Sequence, residues 1–176
     1  MDNCICHTVY TIGHSTHSMD EFISMLQSFD IKNLIDIRSM PGSRKYPQFN
    51  RENMETVMPA NGINYIYMKD LGGRRKVQPG SKNTRWKNPF FRGYADYMKT
   101  GTFKEAITAL ENIAFRDPTA YMCAEAVWWR CHRSMVSDCL KARGWKVLHI
   151  RAVGKVQEHS CTSPAKVTGI HVSYED

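Results

Sequence analysis

Short runs of β-branched and aromatic residues alternate with segments of helical periodicity along most of this chain. Residues 7–12 (His-Thr-Val-Tyr-Thr-Ile) predict a strand that ends at Gly13. Apolar residues at helical spacing follow from Ser18, a suitable helix cap, to about Asp30, and residues 33–37 predict the next strand. The first forty residues therefore predict one strand–helix–strand unit, a connection that joins parallel strands.

The same alternation continues to residue 150. Further strands are predicted at 63–68, 119–123 and 145–150, and further helices at about 50–59, 91–99 and 131–142. Thr102 and Glu105 form a capping-box signature that predicts the start of one more helix, and residues 166–173 predict a hairpin or an edge strand. The predicted fold is α/β, a mostly parallel sheet with helices on both faces in a Rossmann-like three-layer sandwich, and residues 1–176 are predicted to form one domain.

The composition predicts a globular protein. Apolar residues make up 42% of the chain, yet no stretch approaches the roughly eighteen uninterrupted apolar residues of a membrane helix. The N-terminus lacks the basic and apolar regions of a secretory signal, so we expect a cytoplasmic location and no membrane association. In that compartment the cysteines are expected to be reduced thiols. They are Cys4, Cys6, Cys123, Cys131, Cys139 and Cys161.

The net charge of +7 is concentrated in one segment. Between Lys69 and Arg92 there are eight basic residues and a single acid, Asp70. Cations among aromatic side chains can neutralise phosphates and stack bases, which predicts nucleic acid or a nucleotide as the partner. The alternative is a solvated basic loop with no partner. The predicted nucleic-acid contacts are Arg75, Lys82, Arg85, Trp86, Lys87 and Arg92.

Polar clusters follow three of the predicted strands, at the point where each strand ends. In open parallel sheets ligands bind outside the carboxyl ends of the strands, so these clusters are expected to form one site. The predicted catalytic residues are His14, Asp36, Glu125, Cys131 and His132. The predicted substrate- or phosphate-binding residues are Ser15, Arg38, Ser43, Arg44, Arg74 and Arg133. Taken singly, most of them have a structural alternative, such as an Asp36–Arg38 pair that binds no ligand.

Cys131 is a candidate nucleophile or redox-active thiol, and a buried structural thiol is the alternative. A thiol at a helix start beside Arg130, His132 and Arg133 favours its thiolate, because the helix dipole and the cations stabilise the anion. No cofactor is predicted. Zinc held by Cys123, Cys131 and His132 is an alternative, although the spacing matches no paired C-x2-C pattern. Further zinc ligands in that alternative would be Cys4, Cys6 or His7.

Three functional hypotheses follow from these residues. The first is an enzyme that acts on nucleic acid or a nucleotide, as a hydrolase or on a glycosidic bond or base. The second is a non-catalytic module that binds nucleic acid or a phospholigand through arginines and helix N-termini. The third is a redox-thiol or zinc protein.

The motifs in combination resemble the bacterial and archaeal family known as domain of unknown function 488. The resemblance implies an α/β sandwich with one composite polar site, and it names no reaction. It rests on Thr11-Ile12-Gly13-His14-Ser15-Thr16, Asp36-Ile37-Arg38 with Pro41 and Ser43-Arg44, Leu71-Gly72-Gly73-Arg74, Met122-Cys123-Ala124-Glu125 with Cys131-His132-Arg133, and the tail from Gly154 through His159, Ser160 and Thr162 to Ala165.

Overall fold

The computed structural model describes residues 6–176, in which six strands form one sheet in the order β3-β2-β4-β1-β5-β6. The strands are β1 (Thr8–Gly13), β2 (Asn33–Asp36), β3 (Asn64–Tyr67), β4 (Thr119–Cys123), β5 (Lys146–Ala152) and β6 (Lys155–Glu158). The first five are mutually parallel, and β6 pairs antiparallel with β5. The predicted mostly parallel sheet is therefore confirmed.

Helices cover both faces of this sheet, which confirms the predicted three-layer arrangement. They are α1 (Met19–Gln27), α2 (Arg51–Ala60), α3 (Pro89–Tyr97), α4 (Gly101–Arg116) and α5 (Arg133–Ala142). Side chains alternate along β4, so Tyr121 joins one buried cluster with α3, α4 and α5, while Ala120 and Met122 join the other with α1 and α2. Within residues 6–176, no helix is long and apolar enough to cross a membrane.

The chain after β5 is more regular than expected. Residues 166–173 form the predicted hairpin, with β7 (Lys166–Thr168) antiparallel to β8 (His171–Ser173). Strand β6 was not predicted from the sequence, and its exposure to solvent explains why. All four of its residues are exposed, so it lacks the apolar alternation that marks a half-buried strand.

Two helix starts differ from those predicted. The capping box at Thr102 is wrong, because the Thr100 side chain caps α4 by accepting from the Phe103 amide at 3.3 Å. Helix α5 begins at Arg133, since Cys131 has extended backbone dihedrals. Cys131 thus lies two residues before the helix, with its side chain near the first amides.

Candidate functional site

The three polar clusters meet at one edge of the sheet, since β1, β2 and β4 are neighbours. Backbone hydrogen bonds continue the pairing beyond the strand ends. The His14 amide donates to the Cys123 carbonyl at 3.0 Å, and the Ile37 amide donates to the Met122 carbonyl at 3.1 Å. The loops that follow the three strands therefore lie side by side, as their shared sheet edge requires.

A cavity of about 680 Å³ opens at this edge. Five of the predicted catalytic and phosphate-binding residues line it, namely Arg38, Arg74, Glu125, Cys131 and His132. The cavity rim carries large exposed apolar side chains, Met40, Phe90 and Trp129, beside the exposed Arg74 and Arg130. Exposed cationic and aromatic side chains therefore lie together at the mouth of the cavity.

Cys131 and His132 form a thiol–imidazole pair in this cavity. Cys131 Sγ lies 3.3 Å from His132 Nδ1, and His132 Nε2 lies 2.9 Å from the carbonyl oxygen of Ile37. Because a carbonyl only accepts, Nε2 carries the hydrogen and Nδ1 of the neutral ring presents its lone pair to the thiol. The geometry is that of a nucleophile, a base and a group that orients the base.

The surroundings of the pair favour the thiolate. The neighbouring Cys123 thiol, the Arg133 guanidinium and the Arg133 amide, whose nitrogen lies 3.5 Å from Sγ, lower the pKa of Cys131. Burial raises the pKa of Cys123 well above its usual value, so that thiol stays protonated. Burial also lowers the pKa of His132, which favours the neutral ring beside the Cys131 thiol. The pKa of one sulfur is therefore lowered and that of its neighbour is raised.

Arg133 lies behind the cavity wall and is fully buried. Its Nη2 donates to the Glu125 carbonyl at 2.8 Å and to the Ala126 carbonyl at 3.3 Å, and its Nη1 donates to Thr11 Oγ1 at 3.0 Å. Its Nε has no partner among the described residues. The guanidinium is therefore placed to act on Cys131 by its charge, and its hydrogen bonds hold the loop that carries Glu125.

Asp36 is engaged in a buried ion pair and does not line the cavity. Arg38 Nε lies 2.9 Å from Asp36 Oδ1 and Nη2 lies 2.6 Å from Oδ2, a bidentate contact, and the Tyr65 hydroxyl also donates to Oδ2. Arg38 Nη2 donates in addition to the Phe49 carbonyl at 2.8 Å. The Asp36 carboxylate thus orients Arg38 at the cavity wall.

His14 lies on the inner side of Arg38 and outside the cavity lining. Its ring stacks on Phe49 at 4.3 Å, and its Nε2 lies 3.4 Å from Arg38 Nη1. Its Nδ1 lies 3.0 Å from the Ser15 carbonyl, which requires the hydrogen on Nδ1. Burial lowers the pKa of His14 to about 4, so the ring is neutral near pH 7 and accepts from Arg38.

The remaining predicted phosphate contacts lie apart from the cavity lining. Ser15 has a left-handed backbone, with φ of 47°. Ser43 Oγ accepts from the amides of Lys45 and Tyr46 within its own turn. Arg44 is exposed. Glu125, in contrast, lines the cavity, and its Oε1 accepts from the Val127 amide at 3.3 Å.

Several basic residues between Lys69 and Arg92 form contacts within the protein. Arg85 donates to the carbonyls of residues 163 and 164, Arg92 donates to the Ser81 carbonyl at 2.8 Å, and Arg75 stacks on Tyr97 at 3.7 Å. Trp86 is half-buried and packs against residues 91 and 174. The exposed cations of the predicted set are therefore Lys82 and Lys87.

The zinc alternative receives no support from this geometry. Within residues 6–176, no group of three or more histidine, cysteine or acidic side chains is arranged to hold a metal ion. His132 already directs both ring nitrogens to Cys131 and the Ile37 carbonyl. Cys4, a further ligand in that alternative, lies outside the described residues.

Several residues that line the cavity are not among the predicted site residues. Phe90 and Tyr94 reach the site from α3, and Trp129 reaches it from the loop before Cys131. A sequence signal for the start of α3 was present. The Asn88 side chain caps this helix, and a proline follows at the first helical position. No local signal shows that Trp129 is exposed while Trp128 is buried against His149.

Folding is expected to be weakened by acid between pH 6.5 and pH 5. Burial lowers the pKa of His14 to about 4 and that of His149 to about 2, from an ordinary value of 6.5. In this window the unfolded chain binds protons that the folded chain does not, so stability is lost as pH falls. Each histidine should contribute a loss of about 2 kcal/mol at pH 5.

Urea unfolding at pH 7.5, 6 and 5 measures this loss. His14→Gln should reduce the pH dependence, whereas replacement of the exposed His171 by Gln should leave it unchanged. A free energy of unfolding that stays constant from pH 7.5 to pH 5 would contradict the neutral, buried state of both rings.

Comparison with known proteins identifies the family of this chain. A family model described as "Domain of unknown function DUF488" matches residues 18–140, which is more than half of the chain and includes the cavity residues from Arg38 to His132. The tail motif from Gly154 lies outside the matched region. No curated protein and no solved structure gives a significant match. The chain belongs to the DUF488 family.

Proposed function

We propose that this protein is an enzyme that uses Cys131 as a nucleophile on a nucleotide or on one nucleotide of a nucleic acid. The observation that carries the proposal is the pair of contacts at His132. Its Nδ1 lies 3.3 Å from Cys131 Sγ, and its Nε2 is held by the Ile37 carbonyl at 2.9 Å. This pair lies in the wall of a cavity large enough for a ligand.

The chemistry follows from the positions of the protons. His132 Nδ1 accepts the Cys131 proton, and the thiolate attacks an electrophilic atom of the substrate. A bond to sulfur forms, the bond to the leaving group breaks, and the leaving group takes the proton from His132. Glu125, the carboxylate in the cavity lining, then accepts a proton from a water molecule that cleaves the adduct, which restores the thiolate.

The rim supports a ligand with both an anionic and an aromatic part. The guanidinium groups of Arg74 and Arg130 are exposed at the mouth, where they can contact phosphate. Trp129 is 49% exposed and Phe90 is 68% exposed, so both offer ring faces to a base. A volume of about 680 Å³ suits a single nucleotide and is too small for a duplex.

The same proposal extends to a single-stranded nucleic acid, of which one nucleotide would enter the cavity. Lys82 and Lys87 are exposed cations of the basic segment that leads into α3, whose first turn lines the cavity. They can contact phosphates on either side of a nucleotide that has left its stack. The nucleotide inside the cavity would remain the reacting one.

Alkylation kinetics test the nucleophile. Iodoacetamide labelling of each cysteine, followed by peptide mass spectrometry from pH 5 to pH 10, should show a midpoint for Cys131 below the usual thiol value of about 8.5. Cys139 is the internal control, because burial raises its pKa to about 12 and its labelling should be slow throughout. A Cys131 midpoint at or above 8.5 would contradict the proposed role.

Protection from labelling tests the ligand. Adenosine monophosphate and a single-stranded oligonucleotide should each slow Cys131 labelling by about tenfold near saturation. Arg74→Ala with Arg130→Ala should remove both effects, and Lys82→Ala with Lys87→Ala should weaken only the oligonucleotide, most strongly at low salt. No protection by any probe would overturn the nucleotide assignment. Protection without an adduct or turnover would instead favour a non-catalytic binding module.

A further inference from the structure

A continuous chain of hydrogen bonds runs through the interior behind the thiol site. Arg133 Nη1 donates to Thr11 Oγ1 at 3.0 Å, and Thr11 Oγ1 lies 2.6 Å from His149 Nδ1. His149 Nε2 lies 2.9 Å from His159 Nδ1, and His159 Nε2 lies 2.8 Å from Asp138 Oδ1. All five side chains are at most 1% exposed.

One order of protons satisfies every hydrogen bond that links neighbouring side chains in this series. A guanidinium only donates and an ionised carboxylate only accepts, so the chain has a fixed direction. The Thr11 hydroxyl accepts from Arg133 and donates to His149 Nδ1, the His149 Nε2–H donates to His159, and the His159 Nε2–H donates to Asp138. In this order each ring donates from Nε2 and accepts at Nδ1.

The far end of the chain is built to hold a negative charge. Asp138 accepts from the Thr162 amide at 2.9 Å, from the Thr162 hydroxyl at 2.6 Å and from the Tyr174 hydroxyl at 2.8 Å, in addition to His159. Four donors facing two oxygens suit a carboxylate. His159 and Thr162 belong to the tail motif, which the thiol site does not use.

The near end holds a buried positive charge without a direct partner. No acidic side chain within residues 6–176 forms an ion pair with Arg133. A buried charge without a partner destabilises a protein. The Asp138 carboxylate, linked to Arg133 by hydrogen bonds, is the negative charge that offsets the guanidinium. Trp128 stacks on His149 at 4.6 Å with the planes 5° apart, which shields the middle of the chain.

Arg133 is also the member that contacts the thiol site. Its amide nitrogen lies 3.5 Å from Cys131 Sγ, and its Nη2 holds the carbonyls of Glu125 and Ala126. We propose that Asp138, His159 and His149 are positioning residues that act through Thr11 to hold Arg133 beside Cys131 and under the Glu125 loop. This inference rests on the proposed role of Cys131 as a nucleophile.

Thr11 offers a sharp test, because its hydroxyl is the link between Arg133 and the histidines. Thr11→Val keeps the side-chain shape and removes the link, and it should raise the pKa of Cys131 by about one unit and slow its labelling at pH 7 about tenfold. His149→Phe, which keeps a ring against Trp128, should do the same. Thr11→Ser keeps the hydroxyl and should remain within about threefold of wild type.

Thr119→Val is the control for a general loss of stability. Thr119 is as buried as Thr11 and also bonds through its hydroxyl, but it lies at the amino end of β4, away from the cavity. It should leave the Cys131 pKa unchanged. A wild-type pKa that is not lowered would defeat the proposed function, whereas a lowered value that persists in Thr11→Val and His149→Phe would overturn only this inference.

Nitrogen-15 spectra of the wild-type imidazoles provide a measurement that does not depend on any variant. Both His149 and His159 should show the neutral Nε2–H tautomer at pH 7. An Nδ1–H tautomer at either ring would reverse a donor in the chain and overturn the inference, even if the substituted proteins fail to fold.

Discussion

Replacement of Asp36 by alanine is expected to lower the free energy of unfolding by about 3–5 kcal/mol. The substitution removes the bidentate partner of Arg38, whose charge would then remain buried with the Phe49 carbonyl as its remaining strong acceptor. The Tyr65 hydroxyl would lose its acceptor as well. Chemical denaturation of wild type and variant at pH 7.5 measures the difference.

An exposed ion pair provides the matched control. Arg51 Nε lies 2.7 Å from Glu55 Oε1, but both side chains are close to half exposed. Glu55→Ala should therefore leave the free energy of unfolding close to the wild-type value, because solvent screens this pair. A loss below about 1 kcal/mol for Asp36→Ala would show that Arg38 finds another partner, and that Asp36 is not what fixes Arg38 at the cavity wall.

Gly13→Ala is expected to be severely destabilising, by about 3 kcal/mol or more. A Cβ atom at residue 13 would lie 1.9 Å from the carbonyl oxygen of Glu125 and 2.9 Å from the Ala126 Cα. Both are backbone atoms, so no side-chain rotation relieves the contact. The Glu125 loop would have to move away from β1, which also disturbs the carbonyls held by Arg133.

Gly42→Ala is the control for this substitution. A Cβ atom at residue 42 meets no atom within 4 Å, so the change should alter stability by less than about 0.5 kcal/mol. Gly13→Ala should also slow Cys131 labelling, whereas Gly42→Ala should not. Wild-type stability in Gly13→Ala would contradict the close approach of the Glu125 loop to the end of β1.

The helices and strands that the sequence predicts best are those whose residues are largely buried. Helix α1 was predicted closely because its buried residues recur at helical spacing, and strand β4 because all five of its residues form one short buried run. Strand β6 was missed because it is exposed, and the start of α4 was misplaced because two threonines stand close together and Thr100 is the one that caps. Local pattern therefore identifies buried elements and is less informative about exposed ones.

The location of the candidate site was also predictable from the sequence, whereas the contacts that each of its residues makes were not. Arg38, Glu125 and Cys131 follow strand ends, and parallel topology alone places such residues at one edge. Whether Asp36 faces a ligand or an arginine depends on a bidentate contact between residues two apart, with Tyr65 from the next strand completing it. Sequence spacing permits both arrangements.

The parallel α/β architecture can be predicted from the sequence, because apolar periodicity is a local property that neighbouring residues share along each element. The strand ends that carry reactive side chains can be predicted in the same way. The folded structure is needed to show that His132 faces Cys131, that Trp129 is exposed at the cavity, and that Arg133 is joined to Asp138 through two histidines. Those relations depend on contacts between segments up to 138 residues apart, and the direction of each hydrogen bond depends on the partners that folding brings together.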